Sequence, residues 1–433
     1  MQTVTLEKQE MEPNSTEPKS PWRWVPSLYF AQAIPYVVVM TLSVALYKDN
    51  GISNDDIAFF TSWLYLPWVI KPLWSPVVEM FRTKRAWVIG TQLVIGASLA
   101  AVGFVMHLPA FFFLTLAIMW LMAFASATHD IAADGFYMLG LRQKQQAAFV
   151  GVRSTFYRLA TIVGGGAIMT LAGELTTSTG DVRFAWSAVF FTLAAIFLTL
   201  FAYHHFMLPK PAADTRAASG GDPLRDFFTT FASFFSKRDI FLILGFILTF
   251  RLGEAQLLKL VVPFLKDPAS AGGLGLTTSQ VGIAYGTVGI LALTAGGLCG
   301  GYLISRLGLK RCLWLMVFSV HVPDLVFVYL STALPQNFYL VCTALAFEQF
   351  GYGFGFTAMM LYMIMISDGA HKTAHYAICT GLMALGMMVP GMFSGRIQQY
   401  LGYQHFFIWV CVATIPAFIM AALVKIDPEF GKK

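Results

Sequence analysis

Residues 110–138, AFFFLTLAIMWLMAFASATHDIAADGFYM, form a long apolar stretch whose first charged side chain is Asp130. A helix needs about 20 mainly apolar residues to cross the hydrocarbon core of a bilayer, so this stretch is long enough to span it. Lipid cannot satisfy exposed backbone N–H and C=O groups, and a segment that crosses it must therefore be helical. The stretch predicts a transmembrane helix.

Eleven further stretches of similar length and composition are distributed along the chain. Together with 110–138 they predict an all-α membrane protein with 12 transmembrane helices. The other stretches lie at 24–47, 55–78, 87–106, 148–172, 183–207, 239–265, 278–304, 312–332, 336–367, 375–400 and 403–425.

The overall composition excludes an ordinary soluble protein. Hydrophobic residues make up 57% of the 433 residues and charged residues only 12%, whereas soluble domains carry about 25% charged residues. The five cysteines all fall in apolar stretches without metal-ligand spacing, so we expect no disulfide framework and no metal site. We also expect no cofactor and no nucleic-acid partner, because the net charge of +6 is better explained by membrane topology.

Polar segments divide the chain into two halves. The N-terminal tail at 1–22 lacks the positively charged start and short apolar core of a signal peptide. Its polar composition predicts a disordered cytoplasmic segment. The longest polar stretch is rich in Pro, Gly and Ala, and its residues 223–235 place phenylalanines at helical spacing, which predicts a short helix in the membrane interface. The predicted organisation is a tail at 1–22, a six-helix half at 23–208, a cytoplasmic linker at 209–238, a second six-helix half at 239–426 and a tail at 427–433.

The distribution of Lys and Arg predicts the orientation in the membrane. If both termini are cytoplasmic, the cytoplasmic segments hold 20 of the 29 Lys and Arg residues and the opposite segments hold four. Cytoplasmic loops of membrane proteins carry the excess of positive charge. We therefore expect a multi-pass protein with both termini in the cytoplasm, and we expect it to be monomeric.

Two short loops carry clusters of basic residues at corresponding positions in the two halves. Residues 300–314, GGYLISRLGLKRCLW, resemble the loop motif of the major facilitator superfamily, G-x-L-x-x-R-x-G-x-K-R, and residues 75–87, SPVVEMFRTKRAW, are a degenerate counterpart. Two parallel six-helix halves are the architecture of that superfamily. Such loops can pair with an acidic helix end across the halves and lock the outward-facing state; the alternative is a plain positively charged anchor. The residues assigned to this gating role are Glu79, Arg82, Arg85, Arg306, Lys310 and Arg311.

Charged side chains inside the predicted helices are candidates for function, because a charge at the bilayer centre costs about 2.5–3.5 kcal/mol. The set predicts a polar cavity with cationic groups for an anionic substrate and at least one carboxylate that takes up a proton. The alternative for any one residue is a fixed ion pair between helices. These residues are Lys71, Asp130, Asp134, Arg153, Arg158, Arg251, Glu254, Lys259, Asp324 and Glu348.

Aromatic and amide side chains accompany these charges. The first predicted helix carries Gln32 and Tyr36, and the tenth carries Gln349 and Tyr352. Aromatic faces combined with amides suit sugar rings, although helix packing explains the glycines of the tenth helix equally well.

Several segments resemble the AmpG muropeptide permeases of Gram-negative bacteria, and the resemblance covers nearly the whole chain. The D-I-x-x-D core at 130–134 and PLRDFF at 223–228 are its more specific parts. Asp324 and Arg153 are not matched by the family pattern. The remaining matching segments are KPLWSP (71–76), SATHDIAADGF (126–136), YRLATIVGGG (157–166), RLGEA (251–255) and FEQFGYGFG (347–355).

The resemblance implies a major facilitator fold in the bacterial inner membrane. It also implies proton-driven import of anhydromuropeptides, which consist of the GlcNAc–anhydroMurNAc disaccharide with or without a stem peptide, for cell-wall recycling. On this basis the proton-coupling residues are predicted to be Asp130, Asp134, Glu254 and Glu348. The predicted substrate-binding residues are Gln32, Tyr36, Lys71, Arg158, Arg251, Lys259, Gln349 and Tyr352.

Other functions compete with this prediction. Within transporters, the alternatives are a facilitator for another anionic sugar conjugate or for an acyl-CoA-type solute. A membrane enzyme is disfavoured, because the chain contains neither HExxH nor G-x-S-x-G. His371 and His375 share an i, i+4 spacing but lack the intervening Glu of the zinc motif.

Overall fold

A computed structural model describes residues 20–211, 214, 223–368 and 371–431. Within these residues the chain is helical and contains no β-strand, which confirms the predicted all-α fold class. The helices are α1 (Pro21–Asp49), α2 (Asn54–Trp63 and Leu66–Phe81), α3 (Lys84–Val105), α4 (Phe111–Gly140), α5 (Gln143–Ile162, Val163–Ile168 and Met169–Thr179), α6 (Val182–Met207), the linker helix (Pro223–Phe235), α7 (Ile240–Thr249 and Leu252–Lys266), α8 (Thr278–Leu307), α9 (Leu309–His321 and Leu325–Ala333), α10 (Phe338–Ile366), α11 (372–401) and α12 (403–423).

Ten helices in the described part of the chain are long and apolar enough to cross a membrane. The last of these runs over Ala374–Leu423, but Gly402 interrupts it with a non-helical backbone (φ 71°, ψ 168°). Glycine adopts positive φ without the steric penalty of other residues, and it therefore marks the turn between α11 and α12. With this division and with α2 as a further crossing, the architecture is consistent with the twelve helices expected.

In each half the chain begins and ends on the same side of the helix bundle, called here the terminal face. The Tyr203 hydroxyl at the end of α6 donates to the carbonyl of Arg23 at the start of α1. Lys425, after α12, lies 2.9 Å from Asp239, just before α7. The side on which α1 and α7 end is called the opposite face.

The apolar core shows where the halves are joined. One large cluster contains buried residues of both halves, such as Tyr47 at the end of α1 and Phe407 in α12. Towards the terminal face each half has a cluster of its own, with Trp24 in the first and Phe246 in the second. The shared core therefore lies towards the opposite face.

Glycines allow α5 and α8 to cross closely at the seam between the halves. A Cβ atom on Gly286 of α8 would overlap the carbonyl group of Gly165 of α5. Small residues of this kind let membrane helices approach until their backbones touch. The seam is thus packed through backbone contacts at this point.

The outer surface of the helix bundle, away from its core, is apolar. Large side chains such as Phe104, Phe113, Leu298 and Tyr339 are exposed. A soluble monomer rarely exposes apolar side chains in contiguous patches of this extent, whereas lipid would cover them.

The linker helix packs against the start of α11. Ser233 Oγ lies 2.9 Å from His375 Nε2, and Thr230 Oγ1 lies 3.3 Å from His371 Nδ1. Phe234 is fully buried beside them. The two histidines noted for their spacing therefore contact hydroxyl groups of the linker helix. The location of this helix in the membrane interface stays a prediction.

Candidate functional site

Asp130 of α4 faces two side chains of α2. Its Oδ2 lies 3.5 Å from Lys71 Nζ and 3.3 Å from Trp68 Nε1. Tyr36 of α1 packs edge-on against Trp68 with ring centroids 5.3 Å apart. Charge-assisted contacts are usually about 2.7–2.9 Å long, and the side chains of Lys71 and Asp130 are 28% and 18% exposed. The contact is therefore loose enough for a ligand or a proton to replace it.

Asp134 lies one turn further along α4 and has tighter partners. It accepts a hydrogen bond from the Tyr29 hydroxyl at 3.0 Å and contacts Arg153 Nη2 at 3.0 Å. The Arg153 guanidinium also stacks over the Tyr29 ring at 4.4 Å. The family pattern includes Asp134 but not Arg153, and the structure pairs these two residues with each other. This arrangement is closer to a fixed ion pair within the first half.

His129, next to Asp130, belongs to a separate buried network. Its Nε2 lies 3.0 Å from Gln92 Nε2 of α3. The Gln92 carbonyl oxygen lies 2.9 Å from His204 Nδ1, and Ser27 lies 2.9 Å from the other nitrogen of that ring. These contacts join α1, α3, α4 and α6 and account for His129 as a packing residue.

Arg251 occupies a break in α7, between Thr249 and Leu252. Its backbone departs from helical geometry (φ −111°, ψ 21°). Its guanidinium donates to the Tyr352 hydroxyl and lies 5.0 Å from the ring centroid of Phe356, within the range of a cation–π interaction. The side chain is 9% exposed, and Nε has no hydrogen-bond partner. A buried N–H donor is therefore free in this position.

Lys259 reaches from α7 to the first half. Its Nζ donates to Thr61 Oγ1 of α2 at 2.9 Å and lies 5.0 Å from the ring centroid of Tyr65. The side chain is 4% exposed, and no carboxylate pairs with it among the residues that the structure describes. Tyr65 and Tyr36 of the first half also face Arg251. Cationic and aromatic groups of both halves therefore meet at the seam.

Three further predicted substrate residues lie in α1, α5 and α10. Gln32 is buried, and its Oε1 has no hydrogen-bond partner. Arg158 faces Tyr352 across the seam. Gln349 is buried and donates to Glu348 at 3.0 Å. Gln32 therefore offers an unpaired acceptor in α1 and Arg158 adds a positive charge near Tyr352, whereas the amide of Gln349 is engaged with its neighbour.

Glu254, Asp324 and Glu348 converge inside the second half. One carboxylate oxygen from each residue lies within 4.8 Å of the corresponding oxygens of the other two, and each residue is at most 1% exposed. Glu254 and Glu348 are predicted coupling residues, whereas Asp324 is not among them because the family pattern does not include it. The signal for Asp324 was its position inside an apolar segment directly after Pro323, where α9 is interrupted.

Among the described side chains of the predicted gating loops, Arg85 and Arg306 contact residues of their own halves, and the first loop also contacts the linker. Arg85 donates to the carbonyl groups of His205 and Leu208, and Asp214 accepts from the backbone N–H groups of Lys84 and Arg85. Arg82, Lys310 and Arg311 are exposed, and Arg306 lies over the ring of Tyr302. The side chain of Glu79 lies outside the part that the structure describes. A gating contact across the halves stays a prediction.

A set of ion pairs that was not predicted from the sequence lies at the opposite face. Lys48 Nζ, at the end of α1, lies 2.6 Å from Asp267 after α7, and the neighbouring Lys266 pairs with Asp49 in the reverse sense. The signal was present as a repeated Lys–Asp dipeptide, YKDN at 47–50 and LKDP at 265–268. Lys48 and Lys266 are two of the four basic residues that the predicted orientation places on the non-cytoplasmic side. The equivalent ends of the two halves are therefore held together reciprocally.

Hydrogen bonds reinforce these ion pairs. Asn54 at the start of α2 donates to Gln398 of α11 and Tyr403 of α12, each at 2.9 Å, and the Tyr403 hydroxyl donates to Asp267 at 2.6 Å. Asp49 also accepts from Trp186 at 3.0 Å. The opposite face is thus closed by a polar network that links both halves.

Comparisons with known proteins agree with this architecture. The anhydromuropeptide permease of Escherichia coli strain K12 is 26% identical over 410 residues, which cover 94% of this chain and 80% of the permease. A Rickettsia conorii protein named as the transporter AmpG 4 is 24% identical over 403 residues, covering 90% of this chain and 93% of the relative. The resemblance to AmpG proteins that the short motifs indicated is thereby confirmed, and the relatives are transporters rather than enzymes.

Solved structures show the same fold. The nucleoside transporter NupG matches with a TM-score of 0.68 and 16% identity over 93% of this chain and 98% of that one. The D-xylose–proton symporter matches with a TM-score of 0.69 and 9% identity over 93% and 96%. At such low identities the likeness concerns the fold alone. Residues 27–319 match the sequence pattern of the Major Facilitator Superfamily. Because this match covers more than half of the chain, the protein is a multi-pass membrane transporter that belongs to the Major Facilitator Superfamily.

Proposed function

We propose that this protein imports anhydromuropeptides across the bacterial inner membrane, coupled to proton entry, for cell-wall recycling. The observation that carries the proposal is Arg251, a buried guanidinium at the seam between the halves with an unpartnered Nε. Leaving a buried donor unpaired costs about 1–3 kcal/mol, so an anionic ligand would stabilise the site. The similarity to a protein named anhydromuropeptide permease supports this class of ligand.

The chemistry of the seam suits both parts of such a substrate. Arg251 and Lys259 would bind the carboxylates of the lactyl group and stem peptide, because each has donors without a carboxylate partner in the described structure. Lys71 and Arg158 would add positive charge from the first half. Tyr36 and Tyr352 would contact the apolar faces of the sugar rings, and Gln32 and Gln349 would bind hydroxyl groups. These roles together define the proposed substrate site.

Proton coupling is assigned to four carboxylates. In the first half, Asp130 is the carboxylate whose contact with a cation a proton would replace most readily. Protonation of Asp130 would release Lys71 from its long 3.5 Å contact and make that ammonium group available to substrate. Asp134 would respond less, since Tyr29 and Arg153 both bind it. Glu254 and Glu348 would take the same role in the second half.

Alternating access would proceed by opening the network at the opposite face. Lys48–Asp267 and Lys266–Asp49 must separate for the ends of α1 and α7 to part. The basic loops at Glu79–Arg85 and Arg306–Arg311 would form their contacts across the halves at the terminal face in the other conformation. The transporter would act as a monomer, without a cofactor, with both termini in the cytoplasm.

Binding to the purified protein tests the proposed substrate. Isothermal titration with GlcNAc–anhydroMurNAc is expected to give saturable binding by the wild type. Arg251→Ala should weaken it by about 10- to 100-fold, because a hydrogen bond to a charged group contributes roughly 1.5–3 kcal/mol. Arg238→Ala, an exposed arginine after the linker helix, is the matched control and should bind normally. Binding of an acyl-CoA or another anionic sugar conjugate in place of this disaccharide would contradict the proposal.

A further inference from the structure

Three carboxylates from three different helices meet where two of those helices are interrupted. Glu254 lies one turn after the break in α7, and Asp324 lies in the short turn Val322–Asp324 that separates the two parts of α9. Pro323 has no backbone N–H, so the helical hydrogen bonding of α9 cannot continue through this point. Glu348 approaches from the uninterrupted α10. The interruptions thus bring polar backbone and carboxylates together inside the second half.

The carboxylate oxygens are almost entirely without partners. Both oxygens of Glu254, both of Asp324 and Oε1 of Glu348 are buried and accept no hydrogen bond from the described residues. Oε2 of Glu348 accepts from Gln349 at 3.0 Å. Each of the three residues is at most 1% exposed and places one carboxylate oxygen within 4.8 Å of an oxygen of each of the other two. Buried acceptors are normally paired, so a group of five without donors indicates a site that binds a proton or a small cation.

One described cation acts on the cluster, since Arg251 interacts electrostatically with Glu254 without forming a close ion pair with it. Arg251, one turn before Glu254, donates to Tyr352. Cys411 of α12 faces Asp324, and Tyr285 of α8 faces Glu348. His321 precedes Asp324 by one turn, but its ring packs between Phe250 and Phe418 and both of its nitrogens are unpaired. A single cation cannot balance three carboxylates, so the remaining negative charge must be balanced by something that enters the cluster.

Coulomb repulsion decides how much charge the cluster can carry. Two unit charges 4.8 Å apart repel by about 3 kcal/mol at an effective dielectric constant of about 20. Three ionised carboxylates form three such repelling pairs, in a region where even one charge is costly. Protons relieve the repulsion and also supply O–H donors to the unpartnered oxygens.

We propose that Asp324, Glu254 and Glu348 form one proton-holding cluster, and that Asp324 is a coupling residue of the second half in its own right. This inference rests on the proposed function and adds to it a residue that family resemblance does not indicate. In the step itself, a proton from water forms an O–H bond with one carboxylate oxygen, and the O–H group donates to a neighbouring carboxylate. On the other side of the membrane the same O–H bond breaks and the proton returns to water.

Transport assays with Asp324→Asn separate coupling from binding. The variant should lose gradient-driven accumulation by more than about tenfold while retaining exchange of labelled for unlabelled substrate at equal pH, because one-for-one exchange moves no net protons. Asp324→Glu should restore part of the accumulation, and Asp368→Asn, whose side chain is 79% exposed, should behave as wild type. Accumulation by Asp324→Asn at the wild-type level would overturn the inference. Failure of the wild type to transport muropeptide would instead count against the proposed function.

Chemical labelling tests the cluster without any substrate. The apolar reagent dicyclohexylcarbodiimide adds to protonated carboxyl groups, and mass spectrometry locates the adduct. We expect labelling on the three cluster residues of the wild-type protein in detergent, decreasing as the pH rises and unchanged by sodium chloride at fixed pH. Protection by sodium ions would assign the cluster to a metal ion and overturn the proposal. The labelling also gives a result if Asp324→Asn fails to fold.

Discussion

Lys48 Nζ lies 2.6 Å from Asp267, and this contact joins the end of α1 to the end of α7 across the seam between the halves. The two side chains are each 15% exposed, so the pair is screened less than an ion pair in open water. Lys266 and Asp49 repeat the contact with the roles of the halves exchanged. In a transporter that opens alternately to the two sides, such a pair stabilises the conformation in which the opposite face is closed.

Removing one charge should therefore shift the conformational equilibrium. Because the pair is intermediate between a surface and a buried ion pair, we expect Asp267→Asn to weaken closure by roughly 1–3 kcal/mol, or about 5- to 150-fold in population. Distances between spin labels on exposed positions of α1 and α7 would show a larger open fraction. The exchange Lys48→Asp with Asp267→Lys should restore closure. An unchanged distance distribution in Asp267→Asn would show that the pair does not control this face.

Asp130 and Asp134 should respond differently to neutralisation, although they lie one turn apart on the same helix. We expect Asp130→Asn to abolish proton-driven uptake, since its contact with Lys71 is the exchangeable one. Asp134→Asn should instead lower the melting temperature of the purified protein slightly, because it leaves Arg153 without its partly exposed carboxylate partner. Uptake at different pH values and thermal unfolding separate the two effects. Near-normal uptake by Asp130→Asn would remove that residue from the coupling mechanism.

Gly286→Ala should destabilise the packing of α5 against α8. The added methyl group would overlap the carbonyl of Gly165, and overpacking of this kind costs about 1–3 kcal/mol. Thermal unfolding in detergent should show a lower melting temperature. Gly90→Ala is the matched control, because a Cβ there meets no atom within 4 Å. Equal stability of the two variants would mean that the α5–α8 contact is not tight in solution.

The predicted orientation can be tested with fusion proteins. A green fluorescent protein at the C-terminus should fluoresce, since it folds in the cytoplasm, and alkaline phosphatase at that position should be inactive. Alkaline phosphatase inserted at Gly51, in the turn between α1 and α2, should be active. The reverse pattern would contradict the orientation inferred from the distribution of Lys and Arg.

Much of the fold follows from the sequence because the membrane leaves few alternatives. The apolar stretch 110–138 predicted a helix, and the structure has one at Phe111–Gly140. Lipid requires internally satisfied backbone, so length and hydropathy are sufficient to locate such helices. Breaks inside helices are harder to predict. The interruption at Arg251 depends on tertiary contacts, including those with Tyr352 and Phe356, that composition does not reveal.

The candidate site was only partly predictable, for a similar reason. The charges inside the membrane identified Lys71, Asp130 and Arg251, because each one is costly in lipid. Which charges meet is decided by the packing of helices distant in sequence, so neither the Arg153–Asp134 pair nor the proximity of Asp324 to Glu254 could be derived. The Lys–Asp repeat at the ends of α1 and α7 was visible in the sequence, but its reciprocal pairing required the relative positions of the two halves.

Uptake into proteoliposomes tests the central claim most directly. Purified protein would be reconstituted, an inward proton gradient imposed, and the accumulation of radiolabelled GlcNAc–anhydroMurNAc measured with and without an uncoupler. We predict accumulation above the external concentration that the uncoupler abolishes. No uptake, in vesicles where a control permease works, would contradict the muropeptide assignment, and accumulation that the uncoupler does not affect would contradict the proton coupling.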